Sequence, residues 1–484
     1  MLRRSFQSYT LISVMFTLVV SGTQTGLIGG LVGTISDVAP KLISSLVKVV
    51  SPHYDPHRFV IIMDDDIKSV IDAVANPSAG PWTNDERAHN IQNIVNALKQ
   101  HAQERQDPVK QVLEKANFQY TSNWISNTIE VVDCPTNLVQ QILDVTIVKE
   151  IIYDIIIDHD SIESEIDATN TTIPMGWGVK KINAPNVWAL NNTGQNIIVG
   201  NIDTGVRSTH ETLVNNWVGP YGWYDPKQQS ATPFDANGHG THTIATIAGG
   251  KGVGVAPGAK WMACKGCGAT GCTLSLLIAC AEFMLCPTDT NGNNCDPTKS
   301  PHIVSNSWGR GQGMGYFQPS LDAWHAARII PVFSAGNLGR SGCSSVGYPG
   351  DSPDVLASGA TDMNDVLGVF SSLGPSVKGL IKPDFSSPGV DILSAWNRDD
   401  SDYKLMSGTS MAAPHLAGTI ALILSARPGL SFDAVKTLLI GSTEQALPKA
   451  VLTCGGTLDD VYPNNQHGHG RINAEKVVNA ALAL

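Results

Sequence analysis

The chain has 484 residues, 42% of them hydrophobic, with 46 glycines and a formal net charge of −11 at pH 7. That length accommodates two or three domains around a sizeable core. The acidic balance and the lack of a Lys/Arg-rich run exclude an electrostatic footprint for nucleic acid or for an anionic membrane surface.

In chain order, residues 1–22 read as a secretory signal. Arg3 and Arg4 supply the positive start, Leu11 to Val20 the apolar core, and Ser21-Gly22 the small residues near a cut. That core is too short to span a bilayer, and no later segment reads as a membrane helix, so a secreted, soluble protein is expected. Residues 23–56 show no pattern and are expected to form a poorly ordered lead. Arg58 to Met63 reads as a strand, Asn84 to Ala116 as a helix with apolar residues at helical intervals, and Asn127 to Val132 and Val145 to Ile157 as strands. Together they predict a small α+β domain over residues 57–157. Residues 158–174 are polar and acidic at their start, which predicts a linker carrying an activation cleavage. His159, between Asp158 and Asp160, reads as part of a solvated acidic face.

From Met175 the texture changes. Apolar strands at Ile197–Ile202, Ile303–Ser307, Ile329–Ser334 and Val355–Ala360 alternate with helical stretches at His239–Gly249, Leu274–Leu285 and Pro319–Ala327. Continuous apolar strands separated by helices predict a mostly parallel sheet covered on both faces, an α/β domain of three layers over residues 175–484.

The chain carries 9 cysteines. Cys134 stands apart; Cys264, Cys267, Cys272, Cys280, Cys286, Cys295, Cys343 and Cys454 form an even set. Export favours disulfides over a zinc knuckle at Cys264-x-x-Cys267 with Cys272, and the pairing itself stays open. Asn170-Thr-Thr and Asn191-Asn-Thr are glycosylation sequons suited to an exported surface.

Four positions carry chemistry. Ser410 lies in S-G-T-S-M-A-A-P-H-L-A-G, Ser407 to Gly418, ahead of an apolar run that predicts a helix over Met411–Ser425, with Pro414 in its first turn. A hydroxyl at a helix N-terminus faces N–H groups and a dipole that favour developing negative charge; the plain alternative is a helix cap. Asp203 closes an apolar strand, where open α/β sheets place their sites; a turn aspartate is the alternative. His239, in N-G-H-G-T-H, precedes a helical run and suits proton transfer near neutral pH. His239 and His242 could instead ligate a metal, but the glutamate of H-E-x-x-H is absent. Asn337, in S-A-G-N, could donate a hydrogen bond to an oxyanion or simply close a turn.

Asp203-Thr-Gly, His239-Gly-Thr-His, Ser-Ala-Gly-Asn337 and Gly-Thr-Ser410-Met-Ala-Ala-Pro together resemble the four signature blocks of the subtilisin family of serine proteases, in that family's Asp, His, Ser order. The resemblance covers about Trp177 to Leu484. W-M-A-C-K-G-C with L-C-P-T-D further resembles the bacillopeptidase F-like branch. It implies a nucleophile at Ser410, a general base at His239, a supporting carboxylate at Asp203, and an oxyanion hole from Asn337 and the Ser410 N–H. It implies substrate-backbone pairing along Ser307, Trp308 and Gly309. It also implies a specificity pocket walled by Ala335-Gly336 and floored by Gly347, open to large apolar side chains. The early α+β domain resembles the family's inhibitory propeptide, which implies a self-processing zymogen whose partners are polypeptide substrates and its own propeptide, acting as a monomer without cofactor. Gly249-Gly-Lys-Gly-Val and His210-Glu211-Thr212 depart from the family's strong calcium site, so that site is expected to be missing. Other enzyme and non-enzyme readings are a serine esterase and an inactive, protease-like binding protein. The order of the catalytic residues and the absence of a full G-x-S-x-G oppose the first; the completeness of the set opposes the second.

Overall fold

A computed structural model describes residues 46–78, 80–157, 175–268, 271–449 and 452–484, together with the backbone of 164–167. The signal segment, most of the lead, most of the 158–174 stretch and the Asn170 sequon lie outside the described residues.

Strands β1 (Tyr54–Met63), β2 (Thr121–Asn123), β3 (Thr128–Val132) and β4 (Val148–Ile157) pair antiparallel in the order β2-β3-β1-β4. The long helix is Asn84–Lys115, started by a capping box in which Thr83 and Glu86 satisfy each other's backbone N–H groups. Its buried stripe of Ile91, Ile94, Val95 and Leu98 follows the helical period seen in the sequence. Helices Ile67–Asp72 and Thr136–Leu143 were not foreseen; both are too short for periodicity to declare them. The expected patternless lead also ends sooner than residue 56. Val47 is buried in the domain core, Lys48 bridges to Ile152, and β1 already begins at Tyr54.

Within the expected linker, β5 (Ser164–Asp167) is a strand. The remaining strands are β6 (Ile198–Asp203), β7 (Trp223–Tyr224), β8 (Lys260–Lys265), β9 (Cys267–Gly268), β10 (Gly271–Thr273), β11 (Ile303–Asn306), β12 (Ile330–Ser334), β13 (Leu356–Thr361), β14 (Phe385–Pro388), β15 (Ile392–Ala395) and β16 (Tyr403–Ser407). The central sheet runs β14-β13-β12-β11-β6-β8-β7, every pair parallel. The chain leaves β6 for β8 on one side and returns to β11 on the other, so the strand order reverses beside β6. Ligands of such sheets bind outside the carboxyl ends of the strands at that reversal.

Successive residues of each strand face opposite layers. Val199 and Val332 join Ile244, Leu416 and Ile420 on one face, under helices His239–Ala248 and Thr409–Ala426. Ile202, Val304 and Phe333 join Leu277, Phe283 and Trp324 on the other, under helices Leu274–Leu285 and Gln318–Ala326. The three-layer α/β expectation holds. One helix corrects the reading that no later segment is long and apolar enough to cross a membrane: Thr409–Ala426 is by length and composition, and it is 89% buried inside the protein.

The second helix layer also carries the N-terminal domain. Arg87 Nε donates to Ala327 O at 3.0 Å and Nη1 to Ser300 O at 3.1 Å, while Nη2 reaches Pro301 O. Asp154 receives Ser275 N at 3.1 Å and Ser275 Oγ at 2.6 Å at the start of helix Leu274–Leu285. Glu282, further along that helix, accepts the backbone N–H of Ile125 at 3.0 Å and that of Trp124. β4 then pairs with β10, Ile157 opposite Cys272, so the N-terminal sheet is extended by the short β9–β10 pair of the α/β domain and stays separate from the central sheet.

The eight late cysteines form Cys264–Cys280, Cys267–Cys272, Cys286–Cys295 and Cys343–Cys454. Those bonds remove the zinc-knuckle alternative. Cys134 is free and buried, and burial pushes its thiol up to about 12.

Candidate active site

Asp203 is the last residue of β6 and almost fully buried. Its Oδ1 accepts Thr204 N at 2.7 Å and lies 2.8 Å from His239 Nδ1. An imidazole that donates from Nδ1 to a carboxylate carries its basic lone pair on Nε2. His239 opens helix His239–Ala248, and the residue before it, Gly238, has φ +106° and no side chain to cap the helix. A Cβ there would sit 2.5 Å from the Trp396 ring, so both the backbone conformation and the space demand glycine.

Asp235 supplies the missing cap. Its Oδ1 accepts Asn237 N at 3.0 Å, Gly238 N at 2.9 Å and Thr204 Oγ1 at 2.9 Å. Its Oδ2 accepts Thr241 N at 2.9 Å and Thr241 Oγ1 at 2.7 Å. Thr204 Oγ1 in turn accepts Gly240 N at 2.9 Å. Asp235 and Thr204 therefore lock the turn after Asp203 to the helix that carries His239. The sequence reading missed Asp235; an Asp shortly before a helix start was the available signal. It also missed Lys265, opposite Asp203 in the β6–β8 register, whose Nζ donates to Thr204 O at 2.6 Å and Cys267 O at 3.0 Å. Burial pulls the Lys265 pKa down, opposed by the charges of Asp235, Asp225 and Asp203.

Ser410 belongs to the first turn of helix Thr409–Ala426, which begins earlier than the sequence suggested. Pro414 accordingly lies in the helix interior, not its first turn. Proline has no N–H to give to the carbonyl four residues back, which is that of Ser410. Ser307 Oγ fills the vacancy, donating to Ser410 O at 3.1 Å. Ser410 Oγ lies 3.5 Å from Ser307 O. Pro414 and Ser307 thus belong to one device that holds the Ser410 backbone against the end of β11.

Asn337 follows β12. Its Oδ1 accepts both Thr409 N and Thr409 Oγ1 at 2.9 Å, and Thr409 Oγ1 accepts Gly336 N at 3.2 Å. With the carbonyl oxygen so engaged, the orientation of the amide is set and Nδ2 is its donor end. A Cβ on Gly408 would come within 3.3 Å of that Nδ2, so glycine keeps the approach beside it open.

Among the remaining expected site residues, Gly347 N donates to Ala335 O at 3.2 Å, and Gly336 has φ +102°. These bring Ala335, Gly336 and Gly347 together in one wall. The Trp308 ring is in the core, edge-on to Phe317 and Phe333, with Nε1 donating to Ile202 O at 3.1 Å. Only the backbone of Ser307-Trp308-Gly309 is left to meet a ligand. Asp351, just beyond this wall, directs Oδ2 to Gly313 N at 2.7 Å.

His242 lies apart from the Asp203–His239 pair in role. Its Nε2 is 3.0 Å from both Ile392 O and Lys404 O, and burial pulls its pKa down to about 3. A neutral ring donating to two carbonyls fastens the β15–β16 hairpin to the His239 helix, which corrects the metal-ligand alternative. At the loop where a calcium site was considered, Lys251 pairs with Glu211, whose Oε1 also accepts Tyr403 OH at 2.6 Å.

The sequence model of the subtilase family matches residues 194–470. Bacillopeptidase F of Bacillus subtilis is 37% identical over 333 residues, covering 65% of this chain and 22% of that protein. Subtilisin DY of Bacillus licheniformis is 34% identical over 274 residues, covering 55% of this chain and 90% of that protein. Serine protease AprX of Bacillus subtilis is 33% identical over 320 residues, covering 59% of this chain and 67% of that protein.

Proposed function

The chain belongs to the subtilase family, and on that premise we propose that it is a secreted serine endopeptidase made as a self-processing zymogen. The observation that carries the reading is the 2.8 Å contact between His239 Nδ1 and Asp203 Oδ1 at the strand-order reversal. Ser410 stands at a helix N-terminus beside the oriented amide of Asn337. In this reading Ser410 Oγ attacks the peptide carbonyl while His239 Nε2 takes its proton. The developing oxyanion receives Asn337 Nδ2 and the Ser410 N–H. His239 then returns the proton to the leaving amine, and water releases the acyl group from Ser410 by the same relay. Asp203 stays ionised and supports the imidazolium. Ser307, Trp308 and Gly309 offer backbone to the substrate strand. Ala335, Gly336 and Gly347 leave room for a large apolar side chain before the cut. No metal enters the chemistry in this reading, and the departures at Gly249-Gly-Lys-Gly-Val and His210-Glu211-Thr212 leave the family's strong calcium site missing; Lys251 of the first pairs with Glu211 of the second.

Residues 46–157 act as the inhibitory propeptide in this reading. β4 ends at Ile157 on β10, and β5 begins at Ser164 on β16, the strand that runs through Gly408 and Thr409 into Ser410. The activating cleavage accordingly falls between Ile157 and Ser164. The test compares wild type with Ser410→Ala for chain length, N-terminal sequence and casein hydrolysis. The wild type shortens at that position and digests casein; the variant stays whole and inert. Casein digestion by the variant would overturn the mechanism, and ester cleavage without peptide cleavage by the wild type would favour an esterase.

A further inference from the structure

Asn337 stands in irregular chain between the end of β12 and the short helical turn Gly339–Ser341, so no ladder or helix of its own aims its amide. Thr409 holds that amide from the Ser410 side, through Asn337 Oδ1 and through Gly336 N. The opposite side of the same turn rests on Ser372, a residue with no part in the proton relay. Ser372 N donates to Gly336 O at 2.9 Å, and Ser372 Oγ accepts Leu338 N at 3.0 Å. Those two groups belong to the peptide units before and after the Asn337 Cα. Each residue has only two soft backbone dihedrals, so fixing both peptide planes fixes the direction of the Asn337 Cα–Cβ bond.

Ser372 is itself fully buried and tied down through both neighbours. Ser371 Oγ accepts Ala360 N, from β13, at 3.0 Å. Leu373 N donates to Ser345 Oγ at 2.9 Å, and Leu373 O accepts Ser345 N at 2.8 Å. The short strip around Ser372 therefore runs from the central sheet to the chain that leads into Gly347, and it meets Asn337 between them. Gly336 permits the approach: a Cβ there would sit 3.0 Å from Ser372 Oγ. The Leu338 side chain is 58% exposed and packs little of the turn in place, which leaves the work to these backbone contacts. What separates Ser372 from any buried serine that satisfies an N–H is its place. The N and Oγ of one residue bracket the side chain aimed at the oxyanion.

We propose that Ser372 is a positioning residue for the oxyanion hole. It touches no substrate and moves no proton. It holds the Asn337 backbone so that Nδ2 meets the oxyanion at one geometry, while Thr409 sets the rotation of the amide. A donor whose bond forms as negative charge develops raises kcat without tightening ground-state binding, and a residue that aims such a donor acts on the same quantity. This inference rests on the endopeptidase reading and adds to it a residue outside all four signature blocks.

The experiment is a double-mutant cycle of Ser372→Ala and Asn337→Ala in the processed enzyme, with an internally quenched peptide as substrate and active sites counted by titration. Alanine keeps the Ser372 N–H and removes only the acceptor of Leu338 N. The expected result for Ser372→Ala is a kcat about tenfold lower with KM within about twofold, short of the 10²–10³ that a subtilisin loses with an oxyanion donor itself. In the Asn337→Ala background the same substitution changes kcat by less than about twofold, because the group it positions is gone. Ser372→Cys, whose sulfur is a weaker acceptor, falls between alanine and wild type, and it carries the same cycle if the alanine variant does not fold. An equal loss in both backgrounds, a rise in KM at constant kcat, or no loss at all would overturn the proposal. A wild type that cleaves no peptide, or an Asn337→Ala variant with full kcat, would instead strike the endopeptidase reading, and the positioning role with it.

Discussion

Replacing Arg87 by methionine tests what holds the N-terminal domain on the catalytic domain. Arg87 is 8% exposed and engages three backbone carbonyls, those of Ala327, Ser300 and Pro301. Burial pulls its pKa down, and those carbonyls are what the buried charge has in return. Methionine keeps much of the apolar stem, but leaves the carbonyls without their donor in a dry interface. Hydrogen bonds to charged groups contribute about 1.5–3 kcal/mol each, and relief of the buried charge offsets part of the loss of three, which leaves a net cost of roughly 3–4 kcal/mol. Undocking should therefore become roughly 10²–10³-fold easier. The assay is hydrogen exchange on the uncleaved Ser410→Ala chain with and without Arg87→Met. Amides around Ile91, Ile94 and Leu98 should exchange faster by that factor, while those of β6 and β11 keep their protection. A change below threefold on the helix, or equal acceleration in both regions, would refute the reasoning.

Thr409→Val removes one of the two donors that hold Asn337 Oδ1 and the acceptor of Gly336 N; steady-state kinetics should show kcat lowered about tenfold with KM little changed. Asn337→Ala should lower kcat by about 10²–10³, a range taken from a subtilisin, and a KM effect alone would contradict its role. Burial pushes Glu282 up to about 8 and Asp154 up to about 7, outweighing the N–H groups each accepts. Lys99 and Tyr224 face Glu282, and Arg58 and Glu130 face Asp154. Both carboxyls return towards about 4 when the domain leaves. Raised values in the docked state mean that this stabilisation is complete below that pH and is lost as pH rises through about 7 to 8. Undocking of the Ser410→Ala chain should thus be easier at pH 8.5 than at pH 5, and Glu282→Gln should flatten the dependence; a flat wild-type profile would contradict it. The Cys343–Cys454 bond spans a sequence separation of 111, and replacing both cysteines by serine should cost about 2–5 kcal/mol in denaturant unfolding.

Much of the central sheet was legible because β6, β11, β12 and β13 are apolar runs whose faces are both buried, and such runs stand out without any partner in view. Asp203, His239, Asn337 and Ser410 were legible because each stands in a longer motif. Asp235 was not, since its work depends on Thr204 and Thr241 folding back onto it, which no local pattern announces. β5 was read as linker for a similar reason: four residues in an acidic stretch become a strand only by pairing with β16, distant in sequence. The helix around Ser410 began earlier than expected because Pro414 suggested a first turn, and the compensating hydroxyl of Ser307 is contributed from a different strand end. His242 looked like a second candidate ligand beside His239, yet helix geometry turns it to the carbonyls of the β15–β16 hairpin.

The central claim is that Ser410 is a nucleophile activated by His239. An organophosphonyl fluoride, which phosphonylates activated serine hydroxyls, tests it most directly when the labelled peptide is mapped by mass spectrometry. The account predicts one label on Ser410, loss of casein hydrolysis in proportion to labelling, and almost no labelling of His239→Ala. Full labelling without loss of activity, or a label on another residue that accounts for the loss, would contradict it.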